Sequence, residues 1–195
     1  MQRSLVGSEM CIRDRFHSIQ YMADIIRHLP QMRGYDVVQV TNPVFFDLRP
    51  EKNWAIFKYL KKHNKKIFLD ALATDHYYVK ACLDGKTFRY SDFFVGDRPL
   101  PHPEREKMLA AWIGGPNERP NIEMAQEANG IIACLYEYYA AYQPEYADKL
   151  AYIPIPIDLS INPFHPIKST PEVVKFFIGI QQHRTAIKGT DILLD

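Results

Sequence analysis

Four short runs of almost unbroken apolar, β-branched character recur along the chain, and each is separated from the next by residues of helical periodicity. The runs are Tyr35–Val40, Lys66–Asp70, Ile131–Leu135 and Lys149–Ile155. A strand with one face in water alternates apolar and polar residues, whereas these runs are apolar on both faces, as strands inside a parallel sheet are. Between and before them, Ile19, Met22, Ile25, Ile26 and Leu29 fall at helical spacing until Pro30. Glu51 to His63 places Trp54, Phe57 and Leu60 on one face and ends in Lys61, Lys62, Lys65 and Lys66, favourable at a helix C-terminus. A helix is predicted from Asn121, as its cap, to Ala128, stopped by Asn129-Gly130, and another from Tyr136 to Tyr142 with a dense tyrosine face. Cys82 to Pro120 reads as loop-rich, with turn signals at Asp84-Gly85 and Gly114-Gly115-Pro116 and an aromatic group of Phe88, Tyr90, Phe93 and Phe94 between them. Strands alternating with helices predict an α/β fold, a Rossmann-like parallel sheet with flanking helices.

The 195 residues are 47% hydrophobic, enough for a core, and the net charge of +1 lacks the basic footprint of a nucleic-acid-binding surface. No apolar run reaches membrane-spanning length and no signal-peptide core opens the chain, so the expected compartment is the cytoplasm. Cys11, Cys82 and Cys134 are odd in number and lack a C-x-x-C pair, which suggests neither a disulfide framework nor a zinc site, and Cys134 is expected to be a core thiol. Residues 1–15 have no apolar periodicity and look like a translated sequencing adapter, outside the fold.

Two places could carry chemistry. The loop after Lys66–Asp70 holds Asp75 and His76, and ligands of open α/β sheets bind beyond the carboxyl ends of the strands. Asp75 reads equally as the cap of a following helix, with His76 on that helix's surface. Near the C-terminus, Val173 to Ile180 reads as a strand, followed by a polar loop with Arg184, Lys188 and Gly189 and a helix start at Thr190-Asp191. Cations and free backbone N–H groups at a strand-to-helix turn suit a phosphate or pyrophosphate. Lys188 precedes Gly189, so the loop is not a Walker A motif, and no Gly-x-Gly-x-x-Gly is present.

This strand, loop and helix resemble the opening of the second domain in GT-B glycosyltransferases of the family 4 type. There a strand ending in Gly precedes a loop carrying Arg and Lys-Gly. The segment Ile153-Pro154-Ile155-Pro156-Ile157-Asp158, with Phe164 after it, resembles that family's Ile-Pro-Asn-Gly-(Val/Ile)-Asp stretch, although Pro156 stands in place of Gly. The family's Arg usually follows the Gly directly, whereas here Ile180 does and Arg184 comes later. The resemblance implies donor-diphosphate binding by Gly179, Arg184, Lys188 and Gly189, and contact of Asp75 and His76 with the acceptor. It implies retaining, metal-independent transfer of a sugar from a nucleotide diphosphate sugar to a glycan or lipid-linked acceptor, with no cofactor. It divides the chain into residues 16–159, an acceptor-side domain lacking its first strand, a linker at 160–171, and the first strand, loop and helix of a donor domain at 172–195. The Glu-x7-Glu element of such a donor domain does not occur by Asp195, so the chain alone is expected to be inactive. The four lysines with Trp54 and Tyr59 add an expectation of peripheral contact with the inner face of a membrane. A non-catalytic Rossmann-like domain binding a phosphorylated ligand is the alternative.

Overall fold

The computed structural model describes residues 19–99, 103–161, 163, 166 and 173. The expected donor-side strand, loop and helix, including Gly179, Arg184, Lys188 and Gly189, lie outside the described residues, apart from Val173, as does Phe164.

Helix α1 covers residues 19–28 and passes into a 3-10 turn, Leu29–Met32, that accommodates Pro30 near its start. The order is then β1 (Val37–Val40), α2 (Pro50–His63), β2 (Lys66–Ala71), α3 (His76–Leu83), β3 (Phe94–Val95), β4 (Arg98–Pro99), α4 (Pro103–Trp112), α5 (Glu118–Glu127), β5 (Gly130–Ala133), α6 (Tyr136–Tyr146) and β6 (Leu150–Tyr152). Strands β1, β2, β5 and β6 form a four-stranded parallel sheet in that spatial order, and β3 and β4 form a separate antiparallel pair. The protein is therefore α/β with a parallel sheet and flanking helices, an arrangement consistent with a Rossmann-like fold.

All three crossovers advance across the sheet in one direction. Right-handed crossovers that never reverse put their helices on the same face, and α2 packs on α5 and α3 on both α5 and α6. The side chains divide accordingly. Val38 and Val40, Ile67, Leu69 and Ala71, Ile131 and Ala133, and Leu150 join the main core with Phe57, Leu60, Met124 and Tyr142. The alternate positions, Val37, Gln39, Phe68, Asp70, Ile132 and Ala151, point the other way and belong to neither described core cluster. A second, smaller cluster joins Val79 and Cys82 of α3 to Phe93 and Trp112, so Phe93 is core while Tyr90 is exposed.

Several boundaries differ from the sequence reading. The region from Cys82 to Pro120 holds a hairpin, α4 and the start of α5. Helix α4 escapes a periodicity search because its apolar residues crowd its last turns. Helix α5 begins at Glu118 after Asn117 because Pro120 falls in the first turn, where a missing N–H is harmless. Asn121 is thus a buried interior residue and not a cap. Helix α6 continues past Gln143-Pro144 to Tyr146. Strand β5 stops at Ala133, which leaves Cys134 half-buried and not in the core. Lys61 pairs with Glu127, and Lys65 lies 2.5 Å from Asp36, while Trp54 is stacked on Phe57 at 5.7 Å. Among the described residues no helix is long and apolar enough to cross a membrane.

Candidate functional site

The four parallel strands end on one edge, and the residues just beyond their carboxyl ends are the place to look for a site. Asp75 follows β2 and closes α3. Its Oδ1 accepts from the Tyr78 N–H at 2.8 Å, the bond of an N-cap, and Oδ2 accepts from the Tyr142 hydroxyl at 2.7 Å. The carboxyl is fully buried, and burial pushes its pKa up from 3.8 to about 6 against the opposing pull of the bonds from Tyr78 and Tyr142. His76 is also buried. Its backbone N–H donates to Asn121 Oδ1 at 2.8 Å, and its Nδ1 stands 2.9 Å from the Trp112 carbonyl, a partner that needs the proton on Nδ1. Asn121 Nδ2 donates to the Tyr142 hydroxyl at 3.3 Å, so Asp75, Tyr142, Asn121 and His76 form one chain of bonds locking α3, α5 and α6 together. His76 is accordingly off the helix surface on which the sequence reading placed it. The structure brings Asp75 and His76 together as neighbours in this buried frame. Gly179, Arg184, Lys188 and Gly189 lie outside the described residues.

Two further groups at this edge escape the sequence reading. On the sheet face away from the helices, Gln39 Nε2 donates to Asp70 Oδ2 at 2.7 Å. Asp70 is almost wholly buried, its Oδ1 has no partner among the described residues, and burial holds its pKa above the usual range. The nearby Cys134 thiol is raised too, by burial and then by Asp70. Gln39 and Asp70 were visible as polar residues inside apolar runs, but only the strand register makes them neighbours.

The tyrosines of α6 split between two sides of the helix. Tyr138 packs on Tyr78, Tyr142 on Tyr77 and Tyr146 on Tyr77, whose hydroxyl is 2.5 Å from that of Tyr146. Exposed Tyr136 and half-buried Tyr139 meet Tyr152, the last residue of β6, with ring centroids 5.9 to 6.3 Å apart in all three pairs. The spacing of 138, 142 and 146 marks a buried stripe in sequence, but nothing there announces that Tyr152 completes the outer group.

Two cavities are described, and neither is lined by Asp75, His76 or Asp70. One of about 410 Å³ is bounded by Lys86, Phe88, Arg89 and Phe94, and one of about 390 Å³ flanks β1 between Tyr35, Val37 and Phe46.

The chain matches no protein-family model, no curated protein and no solved structure.

Proposed function

We propose that the chain is the acceptor-side part, with the opening of the donor domain, of a GT-B glycosyltransferase of the family 4 type. The observation that carries this reading is the segment leaving β6. Ile153, Ile155, Ile157, Leu159 and Ile161 alternate along extended or turning backbone and are between 51% and 74% exposed. Apolar residues displayed at every second position beyond the carboxyl end of a parallel sheet suit a strap that a second domain covers. The same segment contains the Ile153–Asp158 stretch on which the family resemblance rests, and it precedes Arg184 and Lys188 in the sequence.

In the reaction, the bond between the sugar C1 and the diphosphate oxygen breaks and the diphosphate keeps the electron pair. The acceptor hydroxyl oxygen bonds to C1 on the same face and passes its proton to the departing diphosphate oxygen. Arg184 and Lys188 offer charge-assisted hydrogen bonds to oxygens that gain charge as the sugar departs, which lowers the barrier to departure. In the enzyme carrying the complete donor domain, Lys188→Ala is therefore expected to lower kcat/KM by about a hundredfold and leave the acceptor KM unchanged. Steady-state kinetics with varied acceptor and donor measure this, and normal kinetics for the Lys188→Ala enzyme would remove the reading.

A further inference from the structure

We propose that Tyr136, Tyr139 and Tyr152 form a stacking platform for a neutral carbohydrate at the carboxyl end of β5 and β6. The proposal rests on the reading of the chain as a sugar-handling protein and names the residues that hold the sugar. Helix α6 packs through Tyr138, Tyr142 and Tyr146, with half-buried Tyr139 at the margin of the core, so Tyr136 is not needed for packing α6 onto the sheet. Tyr136 and Tyr139 pack against each other and against Tyr152 in tilted and edge-on pairs, with Tyr136 67% and Tyr152 46% exposed. No hydrogen bond joins any of the three hydroxyls to another described residue, in contrast to Tyr77, Tyr142 and Tyr146.

Such a group is amphipathic in the way a pyranose is. Each tyrosine offers an apolar ring to the C–H face of a sugar and a phenolic hydroxyl to the hydroxyls at its rim. Charge narrows the ligand further. Helix α6 and strand β6 contain no Lys or Arg, and Glu137 lies in the same first turn. A nucleotide or other phosphate-bearing ligand could stack on the rings but would meet a carboxylate and no cation from these two elements, whereas a neutral saccharide meets no such penalty. The first turn of α6 has no side-chain cap, so its backbone N–H groups remain as donors for sugar hydroxyls beside the rings.

Tyrosine-ring NMR resonances of the chain, titrated with maltotriose, mannotriose and chitotriose, with AMP as an anionic stacking control, test the proposal. At least one trisaccharide is expected to shift the Tyr136, Tyr139 and Tyr152 rings saturably, while AMP leaves them unmoved. Tyr136→Ala and Tyr152→Ala should each weaken that binding about tenfold, the scale of one lost ring contact, and Tyr136→Phe should keep most of it. Unchanged resonances of the buried Tyr77 and Tyr142 report that each variant is folded. The platform is overturned if no trisaccharide moves these rings, if binding survives both alanine changes, or if AMP binds more tightly than the sugars. Failure here is separable from failure of the transferase reading. Saccharide binding alongside a Lys188→Ala enzyme of normal kinetics would keep the platform and remove the transferase, and the converse result would do the reverse.

Discussion

Asp75 shows how one residue can be both a stabilising contact and a liability. As the N-cap it satisfies a helix N–H that would otherwise be an orphan in the protein interior, worth about 1 kcal/mol. As a buried carboxylate it is held out of water with hydrogen-bond donors but no cation bound to it, and its pKa rises to about 6. The folded state then keeps a proton that the unfolded chain loses near 3.8, so the contribution of this group is fully present below 3.8 and is lost as pH rises through about 6. The difference corresponds to about 3 kcal/mol. Urea unfolding at a series of pH values is expected to show Asp75→Asn with a flatter stability profile than the parent between these two values, because Asn keeps the cap and cannot ionise. Asp75→Ala should lower stability by about 2 kcal/mol even at acid pH, where the cap and the bond from the Tyr142 hydroxyl are both lost. A parent and an Asp75→Asn profile that run parallel would show that the carboxyl titrates normally. His76 illustrates what sequence hides at this scale, since its polarity and its place after a strand suggest a surface role, and only the folded α4 and α5 supply the Trp112 and Asn121 partners that bury it.

The junction of α4 and α5 depends on two adjacent glycines for different reasons. Gly114 has φ of +69°, a left-handed turn after the helix, and its N–H donates to the Glu118 carboxylate, but a Cβ there would meet nothing within 4 Å. A Cβ on Gly115 would lie 2.0 Å from the Ala110 carbonyl oxygen, which is backbone of α4 and cannot rotate aside. Gly114→Ala is therefore expected to cost about 1 kcal/mol from conformation alone. Gly115→Ala should cost about 3 kcal/mol, because the helix end or the turn must shift. Denaturant midpoints of the two variants check the order, and equal losses would mean that the turn relaxes freely. The pair Gly114-Gly115 was legible as a turn. The helices around it were less so, because α4 has no apolar face to recognise and a Pro before Asn121 looks like a boundary when it is a first-turn residue. The strands were the most legible elements, since a run such as Ile131–Ala133 is apolar on both faces wherever the rest of the chain goes, and only their ends drifted by a residue or more.

At the scale of the whole molecule, the sheet poses a question of burial. Parallel sheets are almost always covered on both faces, since their strands are too apolar to leave one in water. Here the described helices cover one face, while the other presents Val37 at 55% exposure, half-buried Phe68 and Ile132, and Ala151. Strand β1 is also the terminal strand in the spatial order, and Val37–Val40 carries no Lys, no Pro and no bulge of the kind that blunts an edge against pairing with another chain. The sequence predicts a sheet apolar on both faces, but which face receives the helices follows from crossover direction, which no local pattern encodes. The chain alone is expected to associate with itself through the β1 side of this surface, with an average mass from sedimentation equilibrium that climbs with concentration. Val37→Lys sets a charge on the edge strand of that surface and repels its copy on a partner, so it should return the chain toward the monomer mass. The exposed position means that this change removes no core contact, and an unaltered thermal midpoint separates lost association from lost folding. A parent chain that sediments as a monomer at every concentration would show that this face is already satisfied within one molecule.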